Sequence, residues 1–166
     1  MPLTMQDLID RAGILDAITA YSQGLDQRNW ELFARAWAPG ATFTAPGEGV
    51  DEAITPEQLR EQLIRNNDGT RLSGQHLLNN THFRIDGDTA HTVTEASWTT
   101  LQQSHEPGVL YEVRAGGIYV DDLLRTEDGW RISARTLALK NKTTRHVPYP
   151  AERITAITDT LHTDWY

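Results

Sequence analysis

The chain contains no cysteine. Disulfides, cysteine-ligated zinc, iron–sulfur clusters and a thiol nucleophile are therefore excluded. Positive charge is also scarce: 15 Lys and Arg stand against 23 Asp and Glu, for a formal net charge of −8. A surface of that sign repels phosphate backbones and anionic lipid, so neither nucleic acid nor a membrane is an expected partner. No apolar run approaches the roughly 18 residues of a membrane span. The opening stretch MPLTMQDLID lacks a basic region followed by a long apolar run, so no signal peptide is read there and a cytoplasmic location is expected. There is no G-x-G-x-x-G or Walker-type loop and no G-x-S-x-G elbow. The six histidines are scattered, with no HxH or HExxH spacing. Metal and nucleotide chemistry thus lack a signature, and no cofactor or metal is expected.

What is present suits one domain. The chain has 166 residues, 39% of them hydrophobic and 23% charged, enough to bury a core and free of internal repeats. The domain is read over residues 1–166, with a core at about 5–140 and a helical tail at about 148–166. A first helix is expected over residues 4–23, opened by a Thr4/Asp7 capping box. Leu8, Ala12, Leu15, Ile18, Tyr21 and Leu25 form its apolar stripe, and Gly24 weakens or ends it. A second helix is expected over 29–38 and a short strand over 41–47. A third helix starts at Thr55-Pro56 and runs to about residue 66. After Asp68-Gly69 the period changes to two. Strands are read at 75–85, 89–103, 109–125 and 130–139, separated by DGD and EDG turns, with Gly116-Gly117 bending the third. A last helix is expected near Pro150. Helices followed by a meander make an α+β fold, in which a curled antiparallel sheet, covered by helices, leaves a pocket on its concave face.

His76 opens a strand in SGQHLLNN and shares a face with Leu78 and Asn80. One reading is an exposed or interface histidine. The other is a general base, because imidazole takes and returns a proton near neutral pH. A carboxylate on its second ring nitrogen would hold the tautomer and stabilise the imidazolium. Asp26, between two apolar stretches in AYSQGLDQRNWELFARAWAP, can cap a helix or supply that carboxylate. Tyr21 is a core tyrosine or a donor to a developing oxyanion. Arg135 is a solvated strand arginine or a cation that holds an enolate or carboxylate. Trp30, Trp37 and Trp98 suit the walls of an apolar pocket and suit core packing equally. Asn80, Glu95 and Tyr119 complete the set expected to contact substrate, and His91 shares the parity of Glu95.

RAGILDAITAYSQGLDQRNWELFARAWAPGATF, GQHLLNN, IDGDTAH and GGIYVDDLLRTEDGWRISAR, taken in order, resemble the SnoaL-like branch of the nuclear transport factor 2-like superfamily. The resemblance covers nearly all of residues 5–140 and implies a cone-shaped α+β barrel. Within it, an aspartate after the first helix and a histidine opening the next long strand are similar to the scytalone dehydratase, bile-acid 7α-dehydratase and hexachlorocyclohexane dehydrochlorinase group. There an Asp–His pair drives elimination. Asp26 and His76 match that pair, Asn80 follows as in the dehydrochlorinase, Tyr21 matches a helix position that carries tyrosine or lysine, and Arg135 approximates a pocket arginine. The expected function is a cofactor-free lyase or isomerase acting on a small apolar, cyclic substrate. Polyketide cyclisation is the enzymatic alternative, and a non-catalytic binding or assembly domain the alternative of another class. A homodimer or homotrimer is expected, with part of Val93, Trp98, Val113 and Ile118 as its interface.

Overall fold

Two tight turns, at Asp86-Gly87-Asp88 and Glu127-Asp128-Gly129, reverse the longest strands of the computed structural model, which describes residues 2–67 and 70–159. The elements in order are α1 (Met5–Asp26), α2 (Trp30–Arg35), β1 (Trp37–Ala45), β2 (Val50–Ile54), α3 (Pro56–Asn67), β3 (Arg71–Asp86), β4 (Thr89–Gln103), β5 (Val109–Thr126), β6 (Gly129–Pro148) and α4 (Ala151–Thr158). The Asp68-Gly69 break and the final TLHTDWY stretch lie outside the described residues.

The strands form one curved, unclosed sheet in the order β2-β1-β6-β5-β4-β3. The expected antiparallel meander is its larger part, but the sheet has six strands and is mixed. β1 runs parallel to β6, with Thr42, Phe43 and Thr44 beside Ala134, Arg135 and Thr136. A parallel partner needs a long crossover, and here β2 through β5, with α3 among them, supply it. Sequence pattern hid this pairing for two reasons. Pro39-Gly40 reads as a helix stop, yet it lies inside β1. β2 is an edge strand without a buried residue, so it shows no alternation. Gly116 and Gly117 do mark a bulge, where the register against β6 steps from Asn141 to Leu139.

α1 begins as expected. Thr4 Oγ1 accepts from the Asp7 amide at 3.1 Å, and Asp7 Oδ2 accepts from the Thr4 amide at 2.7 Å. Its inward face differs from the expected stripe. Ile14, Ala17, Ile18, Tyr21 and Leu25 are buried, whereas Leu8 and Leu15 are 49% and 42% exposed. Near its N-terminus α1 is apolar on more than one side, and the inward position there belongs to an acid. Asp10 Oδ1 accepts Arg125 Nη1 at 2.6 Å, Trp130 Nε1 at 3.2 Å and Gln6 Nε2 at 3.0 Å. These donors, led by Arg125, outweigh burial and hold the Asp10 pKa down at about 2. A carboxylate depressed on folding stabilises the protein above its unfolded pKa of roughly 4 and loses that contribution as pH falls through the folded value. Asp10→Ala is therefore expected to cost about 1–3 kcal/mol near neutral pH. Urea melts of both proteins should converge as pH falls from about 4 towards 2; a gap that stays constant over that range contradicts the assignment.

Gly24 does not end α1, which continues through Asp26. A Cβ there would press into the backbone and Cβ of Phe33, so the glycine lets α2 cross α1 at backbone distance. Gly24→Ala should force the helices apart at an overpacking cost of roughly 1–3 kcal/mol, read as a lower urea midpoint at unchanged slope. That crossing also leaves Asp26, two residues further on, facing inward.

Candidate active site

Asp26 ends α1 with its side chain 5% exposed, and His76 enters from β3 with the same exposure. Asp26 binds His76 twice. Oδ1 lies 2.7 Å from His76 Nδ1, and Oδ2 accepts the His76 amide at 2.6 Å. Gripping both ring and backbone leaves the imidazole little freedom to rotate. The ring also stacks on Trp98, its cross-strand partner on β4, with centroids 5.6 Å apart and planes 21° apart. Nε2 makes no hydrogen bond to any described residue, so this nitrogen is the one free for chemistry. A carboxylate on Nδ1 favours the tautomer whose Nε2 lone pair is open.

A third group joins the pair that sequence reasoning did not name. Arg71 Nη2 donates to Asp26 Oδ1 at 3.1 Å, and the arginine is 7% exposed. The guanidinium crosses the chain at Gly74, where any Cβ would overlap it. The Arg71 carbonyl is in turn held by Arg28 Nη2. Arg28 adopts a left-handed backbone, with φ 55°, an uncommon state for a residue with a side chain. Burial lowers the Arg71 pKa, Asp26 opposes that shift and Arg28 adds to it. An arginine three residues before a glycine in TRLSGQH was the available signal, but such a pattern also fits many solvated strands.

Tyr21, Tyr119 and Arg135 form a second buried unit beside the first, with Tyr21 close enough to Asp26 and Arg71 to couple with both. Arg135 pairs with Asp121 through Nε and Nη2, each at 2.7 Å, and both side chains are fully buried. Its guanidinium lies 4.3 Å from the ring centroids of both Tyr21 and Tyr119. Burial works against the arginine charge, but Asp121 and the tyrosines leave its pKa raised. Burial also raises the Tyr21 pKa, and raises that of Tyr119 further, so both phenols stay protonated. Nη1 of Arg135 has no hydrogen-bond partner among the described residues. The pair with Asp121 was not expected; an acid inside the apolar run of β5 was its only mark.

Strand parity divides the remaining expected contacts. Trp98 stands on the concave side with His76. Glu95 takes the opposite face of β4, where it pairs with Lys140 at 2.5 Å. Asn80 is exposed at φ 52°, in the β3 bulge between Asn79 and His82, so its alternation with His76 is broken. Glu95 and Asn80 line a polar cleft of about 420 Å³ on the outer face, together with Ser97, Lys140 and Asn141. The structure therefore removes both from the concave set, because a bulge and a single-residue step each reverse which face a side chain meets. His91 also lies outward, 2.8 Å from Asp122. Trp37 contacts Tyr21 and Phe33, and Trp30 contacts Phe33. Trp37 also borders an apolar cavity of about 390 Å³ between α2, β1 and the start of α3, which His76 does not line.

With this geometry in view, residues 6–136 match the SnoaL-like domain. The chain belongs to the SnoaL-like family. An uncharacterized protein of Mycobacterium tuberculosis is 30% identical over 135 residues, covering 80% of this chain and 87% of that protein. Among solved structures, a type 2 hexachlorocyclohexane dehydrochlorinase superposes with a TM-score of 0.72 at 17% identity, covering 87% of this chain and 94% of that one. A candidate scytalone dehydratase from Novosphingobium aromaticivorans gives 0.72 at 18% identity, covering 90% and 97%. At these identities the two superpositions show the fold alone, a cone-shaped α+β architecture; membership of the nuclear transport factor 2-like superfamily follows from the family match. No helix among the described residues is long and apolar enough to cross a membrane, and no group of three or more His, Asp or Glu there could hold a metal.

Proposed function

We propose that this SnoaL-like protein is a cofactor-free lyase or isomerase that acts on a small apolar, ring-containing substrate, with His76 as its base. The carrying observation is the 2.7 Å contact between Asp26 Oδ1 and His76 Nδ1, which leaves Nε2 without a partner among the described residues. In this reading Nε2 takes a proton from a carbon beside a carbonyl or a leaving group. The C–H electron pair becomes the new π bond, or an enolate. Asp26 stabilises the imidazolium so formed. A departing hydroxyl recovers the proton from the imidazolium, or takes one from the neutral Tyr21 phenol. Arg135 supports the site indirectly: with Nε and Nη2 committed to Asp121, its buried guanidinium holds the Tyr21 and Tyr119 rings in place. The names of the dehydrochlorinase and the candidate scytalone dehydratase, both of which denote eliminations, support the same class.

The test is a panel of cyclic ketones, hydroxyketones and halocycloalkanes incubated with the protein in heavy water. Deuterium incorporation or elimination by wild type, absent with His76→Ala, supports the proposal. Turnover that survives in purified His76→Ala excludes it.

Self-association is part of the proposal. Val93 and Ile118 stand half-buried on the outer face of the sheet, whereas Trp98 and Val113 have the parity of the concave face. An interface would therefore use the first pair and not the second. A sedimentation mass of one chain at micromolar concentration excludes it.

A further inference from the structure

Asp26 serves two partners through one oxygen, a guanidinium and an imidazole. Oδ1 lies 2.7 Å from His76 Nδ1 and 3.1 Å from Arg71 Nη2. An isolated Asp–His pair carries one negative charge at rest and none after the imidazole gains a proton. Adding Arg71 makes the resting cluster neutral and the protonated cluster cationic. Among the described residues, the charges that meet this cluster are Asp26 from α1, Arg28 from the α1–α2 connection and Arg71 from β3 itself. Tyr21 from α1 is a neutral phenol close enough to couple with Asp26 and Arg71. From β4, His76 meets only the uncharged Trp98.

We infer that Arg71 is a positioning residue of this site: it fixes the Asp26 carboxylate against His76 and offsets part of its charge, so His76 holds a proton less tightly than it would beside Asp26 alone. The inference rests on the proposed role of the His76–Asp26 pair. It adds that the site becomes positive at the moment a substrate carbon becomes negative. Three features beyond the hydrogen bond support it. Arg71 is buried, with Asp26 its one carboxylate partner among the described residues. Gly74 supplies the gap its guanidinium occupies. Arg28 anchors the Arg71 carbonyl from a strained backbone. A guanidinium serving only surface solubility needs none of these.

The experiment is an NMR pH titration of the His76 ring in the substrate-free protein, its resonances assigned by their loss in His76→Ala. Arg71→Met should raise the proton affinity of His76 by about tenfold or more, the size expected when a cation a few ångströms away is removed. Arg71→Lys, which restores the charge, should return it most of the way. Gly74→Ala, which keeps the arginine but expels its guanidinium, should shift it in the same direction as Arg71→Met. It also carries the test if Arg71→Met fails to fold. A titration curve unchanged in a folded Arg71→Met or Gly74→Ala protein overturns the inference. The two ideas separate cleanly. If His76→Ala keeps turnover while Arg71→Met shifts the titration, the base assignment fails and the coupling stands. The reverse pattern removes Arg71 alone.

Discussion

His76→Ala is expected to lower turnover by at least about 10²–10⁴-fold, the range a positioned general base supplies, without loss of the folded state. The ring stacks on Trp98, and Arg71 keeps the Asp26 carboxylate paired when the imidazole is removed. Asp26→Asn should lose a large part of the same factor. An amide can still accept from the His76 backbone N–H, but it cannot stabilise an imidazolium, and it can favour the wrong tautomer. It also leaves the buried Arg71 guanidinium without its counter-charge, so some loss of stability accompanies the loss of rate. The decisive measurement is the double variant. Residues that act as one unit are non-additive, so His76→Ala/Asp26→Asn should turn over scarcely more slowly than His76→Ala. Strictly additive losses would show that Asp26 acts elsewhere, as a helix-end carboxylate and nothing more.

The second large effect is on stability. Asp121→Ala is expected to cost about 3–5 kcal/mol, because it strands the Arg135 charge in a fully buried site. For a domain of this size that corresponds to a melting temperature lower by about 10 °C. Arg135→Met should cost a similar amount by stranding Asp121 instead. It would also remove the cation between Tyr21 and Tyr119, which lies 4.3 Å from each ring centroid. The double replacement Arg135→Met/Asp121→Leu should recover much of the loss, since a buried ion pair is often no more stabilising than well-packed apolar side chains of similar volume. Calorimetry on the three variants decides the point. A single-variant loss below about 1 kcal/mol would mean that water reaches the pair, and that burial is not what makes it costly.

The extent of the order in this fold was written locally. The Thr4/Asp7 box, the Thr55-Pro56 helix start and the two turn motifs are short-range signals whose physics closes within a few residues. The structure has α1, α3 and the β3–β6 meander close to where those signals put them, although β3 starts four residues earlier, at Arg71, and β6 runs nine residues further, to Pro148. Composition alone disfavoured thiol chemistry and phosphate-rich partners, because it needs no knowledge of contacts. Asp26 and His76 were legible as chemically capable side chains, one before a helix and one opening a strand.

Their meeting was not legible, since fifty residues separate them and nothing local encodes the distance. Folding decided it through the Gly24 crossing, which turns Asp26 inward, and through β3 lying beside β4. Face assignment depended on register in the same way. Asn80 and Glu95 left the concave set through a bulge and a parity step, each a matter of one residue, while Trp98 joined it. The parallel pairing of β1 with β6 rests on contacts about ninety residues apart. The Asp10 cluster, the Asp121–Arg135 pair and the Arg71 bond to Asp26 are burials of charge that a sequence reads as surface. A charged side chain is buried only where the tertiary fold brings it a partner, and that partner is chosen by packing, not by neighbours in the chain.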